Sequence, residues 1–136
     1  MKNIVVKKIN TDTYIKFINR EILINNKLER CDVDDLLYYN KKYEQYTTRY
    51  GIYLNKKIVG YAGVFKTQKS HLDTFYISWD FRRKGIGKYT LKHLTIFTVF
   101  VQDINTHGKE FYESIGFKNI GNEKGIISYY LEKYKN

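Results

Sequence analysis

The sequence predicts an α+β fold: a central, twisted, mostly antiparallel sheet of six to seven strands flanked by about four helices. β-rich runs separated by turn residues recur from Arg49 to Leu131. Apolar residues at helical spacing fill the preceding third of the chain. A loop holding two glycines, Gly85 and Gly87, follows one of the strands and leads into a helical pattern.

In chain order, Lys2 to Lys8 forms the first strand. From Thr11 the spacing turns helical: Tyr14, Phe17, Ile18, Ile22 and Leu23 share one face. Leu36, Leu37, Tyr39 and Tyr43 suggest a second helix opened by Asp32 or Asp34, with Asn25, Asn26 and Cys31 in the break. Arg49 to Leu54 and Lys57 to Phe65 are strands joined at Asn55-Lys56, and His71 to Trp79 follows the polar stretch Lys66 to Ser70. These make three consecutive antiparallel strands. After the loop, Tyr89, Leu91, Leu94 and Ile96 continue as a helix. Thr98 to Gln102 is a short strand, Thr106 to Ile115 a helix ended by Gly116, and Phe117 to Ile120 with Ile126 to Leu131 a closing strand pair.

No Pro-, Gly- or Ser-rich linker and no repeat divides the 136 residues, so residues 1–136 read as a single domain. The 43% hydrophobic and 17% aromatic content is that of a globular protein, and the fourteen tyrosines each bring apolar area with a polar end. Cys31 has no partner for a disulfide, which excludes a disulfide scaffold and a cysteine zinc site. The first apolar run spans three residues before two lysines, and no segment approaches the length of a membrane span. The expectation is a soluble, cytoplasmic protein without membrane contact. The net charge of +10 would attract RNA or a phosphorylated cofactor. Lys outnumbers Arg and Pro is absent, a bias that an AT-rich genome also imposes, so charge alone does not select a partner.

The segment Arg82-Arg83-Lys84-Gly85-Ile86-Gly87-Lys88 places glycines at a helix start, where free N–H groups and the helix dipole favour anions. Four basic side chains there would neutralise a pyrophosphate, though a solvated basic turn would look the same. A Walker A loop is excluded because Arg82 stands where its first Gly is needed and Tyr89 where Ser or Thr is needed. A dinucleotide fingerprint fails at Thr90, which replaces its third Gly.

Arg82-x-x-Gly85-x-Gly87 resembles the acyl-CoA loop of the GNAT superfamily of N-acetyltransferases. Downstream, Asn105, Gly108, Phe111-Tyr112 and Gly116-Phe117 match a second stretch of that family in the right order. The element order resembles the family from Lys2 to Tyr134. Two departures stand out: the connection from Gly87 to Asn105 is short, so its helix or the following loop must be trimmed, and Trp79 stands where relatives often carry Pro.

The resemblance implies an acetyl-CoA-dependent acyltransferase that moves an acetyl group to a primary amine through a tetrahedral intermediate, with CoA as product and no metal. It assigns the pantetheine arm to the backbone of Phe75, Tyr76 and Ile77, the pyrophosphate to Arg82 through Lys88, and further cofactor contacts to Tyr112 and to Asn105, which is also a good N-cap. It makes Tyr112 the acid that protonates the leaving thiolate, since a phenol with pKa about 10 stays protonated at neutral pH. His71 matches the strand position where many relatives place a base, with Asp73 second, and alternation along the strand would put both on one face with Phe75 and Ile77. His93 and His107 have no third ligand near and make no metal site. The acceptor pocket would draw on residues 25–46 and 66–70, where Tyr38, Tyr39, Tyr43 and Tyr46 lie among Glu29, Asp34, Asp35 and Glu44. The acceptor could be a small-molecule, peptide or protein amine. The alternatives are toxin-like acetylation of aminoacyl-tRNA, which the basic charge would help bind, and a non-catalytic binding module that keeps the fold. The aromatic content would permit a homodimer.

Overall fold

Seven strands join in one sheet, in the order β1-β2-β3-β4-β5-β7-β6, in a computed structural model that describes residues 3–21, 44–68 and 70–134. The elements are β1 (Ile4–Lys8), α1 (Thr11–Arg20), β2 (Thr47–Leu54), β3 (Lys57–Phe65), β4 (His71–Ile77), α2 (Ile86–His93), β5 (Thr98–Gln102), α3 (Thr106–Ile115), β6 (Lys118–Glu123) and β7 (Ile126–Tyr130). Every pairing is antiparallel except β4 with β5. The fold is thus the mixed α+β arrangement expected, with three α-helices among the described residues. The second helix expected around Leu36 to Tyr43 lies outside them.

Local chemistry sets the element ends. Asn10 opens α1 by accepting a hydrogen bond from the Thr13 N–H at 2.9 Å, and Asp12 in the first turn complements the helix dipole. Asn55 and Lys56, at φ 50° and 70°, make the tight turn between β2 and β3. Gly116, at φ 116°, ends α3 in the left-handed conformation that glycine adopts at least cost. α2 is shorter than its apolar spacing suggested. It stops at His93, Thr95 turns at φ 59°, and Ile96 is buried in the core from the loop.

The helices cover both faces of the sheet. On one, α1 packs Tyr14, Phe17 and Ile18 against Tyr61 and Tyr76. On the other, Leu91 of α2 and Tyr112 and Ile115 of α3 pack with Ala62, Val64, Leu72, Val99, Ile127 and Tyr129. Full burial of one such side chain contributes about 1.5–3 kcal/mol, which makes this second cluster the main platform for the site.

One irregularity changes which side chains face where. Gly63 pairs with Thr74 but Val64 pairs with Leu72, so Asp73 is an extra residue in β4. A β-bulge of this kind shifts the alternation beyond it. Leu72 turns to the α2 and α3 side with Val64, and His71 turns to the α1 side, against Phe65 and Phe100. The expected common face of His71, Asp73, Phe75 and Ile77 is therefore corrected. Phe75 stacks on Phe111 and Ile77 packs with Ile86 on the opposite side of the sheet.

Candidate active site

β4 and β5 pair only at His71 with Thr98 and Leu72 with Val99. Beyond these two positions the strands diverge, so the edge of β4 from Phe75 to Ile77 faces a gap where a neighbouring strand would otherwise lie. A cavity of about 690 Å³ occupies this region between β4, the start of α2 and α3. Phe75, Tyr76 and Ile77 line it from the strand, Gly85, Gly87 and Lys88 from the loop, and Asn105 and Tyr112 from around α3. The Ile77 carbonyl is already engaged, accepting a hydrogen bond from Arg82 Nε at 2.8 Å.

The loop closes one end of the cavity. Arg83 and Gly85 take φ 63° and 81°, turning the chain so that α2 begins at Ile86. The first helical bond runs from the Tyr89 N–H to the Gly85 carbonyl at 3.1 Å. The amides of the first turn, Ile86 to Lys88, precede that ladder and have no intrahelical acceptor. They make, with the helix dipole, a site for an anion. Arg82 is folded inward, its guanidinium 4.7 Å from the Trp79 ring and 5.2 Å from the Tyr76 ring. It braces the loop entry, while Arg83, Lys84 and Lys88 are exposed. Gly87 has a packing reason to be glycine: a Cβ there would lie 2.7 Å from Phe111 Cζ.

A model of the acetyltransferase (GNAT) domain matches residues 32–126, well over half of the chain. The chain belongs to the GNAT acetyltransferase family. No curated protein matches it. Among solved structures, it resembles the PaiA N-acetyltransferase of Thermoplasma acidophilum, determined with coenzyme A. The TM-score is 0.65 at 16% identity, over 93% of this chain and 96% of that one. It also resembles the spermidine N-acetyltransferase of Vibrio cholerae, determined with CoA and spermine, at TM-score 0.60 and 14% identity over 96% of both chains. A third is the Salmonella typhimurium acetyltransferase that modifies the N-terminal serine of ribosomal protein L7/L12, at TM-score 0.65 and 12% identity over 96% of this chain and 94% of that one. At such identities the likeness is one of fold.

The second GNAT stretch has a clear local cause. Asn105 caps α3, its Oδ1 accepting from the Gly108 N–H at 2.9 Å. A Cβ on Gly108 would lie 2.6 Å from Asn105 Nδ2, so the small residue three positions on is what lets the cap close. Phe111 and Tyr112 then face inward from the middle of α3. Tyr112 is 7% exposed, edge-on to Phe111 and Phe117 at 4.9 and 5.5 Å between ring centroids.

Across the gap lies a smaller cavity, about 360 Å³, lined by His71, Asp73, Phe65, Phe100, Asn105 and Tyr112 among others. Phe75, Asn105 and Tyr112 line both cavities. His71, Asp73 and Tyr112 thus line one cavity. His71 is buried, with Nδ1 2.7 Å from Thr98 Oγ1, and burial holds its pKa below the ordinary histidine value. Asp73 accepts a hydrogen bond from Thr47 Oγ1 at 3.1 Å. Burial raises its pKa, opposed by that bond and by Arg49.

Other expected site residues are more dispersed or fall outside the described part. Tyr46 is exposed on the turn before β2, and Tyr38, Tyr39, Tyr43, Glu29, Asp34 and Asp35 lie outside the described residues. Among the described residues no three His, Cys, Asp or Glu side chains gather as a metal site, and no helix is long and apolar enough to cross a membrane. Sequence reasoning missed Thr98, Phe65 and Phe100 around His71, and Thr47 and Arg49 beside Asp73. Their signal is the pairing of β4 with β5 and of β2 with β3, which no local motif encodes.

Proposed function

We propose that this GNAT chain transfers an acetyl group from acetyl-CoA to a primary amine, the cofactor entering from the larger cavity and the amine from the smaller. The observation that carries this is the shared wall: Phe75, Asn105 and Tyr112 line both cavities where β4 and β5 part. When bound, acetyl-CoA supplies a thioester carbonyl open to attack by an amine. The residues present fit such a ligand. The first-turn amides of α2, with Arg83, Lys84 and Lys88 around them, suit a diphosphate. The edge of β4 at Phe75 and Tyr76 that faces the gap suits an amide-containing arm, which it would receive as an added strand. Asn105 spends its Oδ1 on the helix cap and has its Nδ2 to offer.

Tyr112 Oη is the proton donor to the departing thiolate. His71 takes the proton of the acceptor ammonium, and its lowered pKa keeps the imidazole neutral, and so able to accept, at pH 7. Asp73 is the second candidate base, already tied to Thr47 and close to Arg49. The acceptor is a small-molecule, peptide or protein amine. The Vibrio enzyme named for spermidine and the Salmonella enzyme that modifies the N-terminal serine of L7/L12 illustrate a small-molecule and a protein acceptor within the fold.

The test is to incubate the protein with acetyl-CoA and a panel of polyamines, peptides and aminoacyl-tRNAs, following CoA release and the acceptor's mass. Acetylation of at least one amine class, slowed in the Tyr112→Phe variant, supports the proposal. CoA release with none of them would leave a binding module. Acetylated aminoacyl-tRNA, with an affinity falling steeply as salt rises, would instead assign the +10 charge to a nucleic-acid acceptor.

A further inference from the structure

The parallel register of β4 with β5 sets His71 beside Thr98. Neighbouring strands lie about 4.8 Å apart, so two side chains on the same face of such a pair meet directly. Here Thr98 Oγ1 lies 2.7 Å from His71 Nδ1. The ring is held on other sides too: Phe65 stacks on it at 5.3 Å and Phe100 meets it edge-on at 4.6 Å between centroids. Two aromatic rings fix the plane of the imidazole, and one hydroxyl fixes a single nitrogen. That leaves Nε2 as the ring atom for other work.

We propose that Thr98 is a positioning residue for the reaction: its hydroxyl accepts from Nδ1–H and so holds His71 in the tautomer whose bare nitrogen is Nε2. This rests on the assignment of His71 as the base. The physical reason lies in what happens when the ring takes a proton. A threonine hydroxyl can donate or accept, but an imidazolium has only donors. With hydrogen on Nδ1, uptake at Nε2 leaves the Thr98 bond in place and strengthens it, because its donor becomes charged. With hydrogen on Nε2 instead, the bare Nδ1 would face a hydroxyl proton, and the atom able to accept would be turned away from the amine. The proton therefore passes from the acceptor ammonium to Nε2, while Nδ1 keeps its own. A neutral partner such as Thr98 stabilises the imidazolium less than a carboxylate would, so the base stays weak enough to be free at neutral pH.

The test reads the ring itself. In protein labelled with ¹⁵N-histidine, the three histidines are assigned with the help of His71→Gln, and the two nitrogens of His71 are followed through a pH titration. The expected wild-type result is a neutral ring with hydrogen on Nδ1 and a bare Nε2. Thr98→Val keeps the strand pair and the side-chain volume. It is expected to release the tautomer, move the His71 titration to lower pH and slow transfer about tenfold, the effect of losing one hydrogen bond to a charged group. Thr98→Ser is expected to restore all three. A wild-type ring protonated at Nε2 overturns the proposal without recourse to any variant. So does a Thr98→Val protein whose tautomer and titration match wild type. Should the spectra respond as stated while the pH profile of transfer does not move, Thr98's hold on the ring stands and the role of His71 as base falls.

Discussion

Gly87 separates two physical reasons for a glycine in the loop: room for a ligand, or room for a neighbouring side chain. In Gly87→Ala the new methyl would start 2.7 Å and 2.8 Å from the Phe111 ring carbons Cζ and Cε1, with Phe75 Cε2 at 3.5 Å. Phe111 is stacked on Phe75 at 5.8 Å, so the ring can yield only by disturbing that pair. Overpacking of this kind costs about 1–3 kcal/mol, and the better helix propensity of alanine returns about 1 kcal/mol. The net loss is about 1 kcal/mol. With an unfolding entropy of about 2.1 cal/mol/K per residue, this lowers Tm by about 3–4 °C. Differential scanning calorimetry without ligand reads this directly, and Gly87→Ala combined with Phe111→Leu should recover part of the loss that the first change causes. An unliganded Gly87→Ala protein as stable as wild type would refute the packing argument and leave close approach of a ligand as the reason for this glycine.

Further outcomes follow from the same geometry. Gly108→Ala should cost about 1–2 kcal/mol in a thermal or urea melt, because its Cβ would meet Asn105 Nδ2 at 2.6 Å and open the α3 cap. Tyr112→Phe should lower kcat about a hundredfold or more and leave CoA affinity, measured by calorimetry, unchanged. Burial lowers the His71 pKa, so the rate should rise with pH along a limb lying below 6.5, and His71→Gln should remove that limb. The same shift acts on stability: the unfolded chain binds the His71 proton from pH 6.5 downward and the folded one only at lower pH. Stability from this group is complete above pH 6.5 and falls as pH drops through the folded pKa, a slope that His71→Gln should flatten.

Much of the fold was legible where side-chain chemistry marks the ends of elements. β3, β5 and α3 have the bounds expected, because Asn55-Lys56, Asn105 and Gly116 each impose a turn or cap. β4 and β5 pair at only two positions, and the short connection after Gly87 is met by an α2 of eight residues. Other features depend on tertiary pairing. β6 runs from Lys118 to Glu123, three residues beyond Ile120, because it follows β7; every one of its residues is exposed, so no apolar alternation marks it. The bulge at Asp73 contains no glycine and leaves no trace in the sequence, yet it decides which face His71 occupies. The four basic residues of the loop looked equivalent, but Arg82 is occupied by the Ile77 carbonyl and two aromatic rings.

In the proposed reaction the first-turn amides of α2 and the gap-facing edge of β4 together receive the cofactor. Titration of ¹⁵N-labelled protein with CoA, followed by amide chemical shifts, reads both contacts at once. The amides of Ile86, Gly87 and Lys88 should move together with those of Phe75 and Tyr76, and the α1 amides should stay still. Saturable binding that leaves Ile86 to Lys88 unperturbed, or no binding at millimolar CoA, would contradict it.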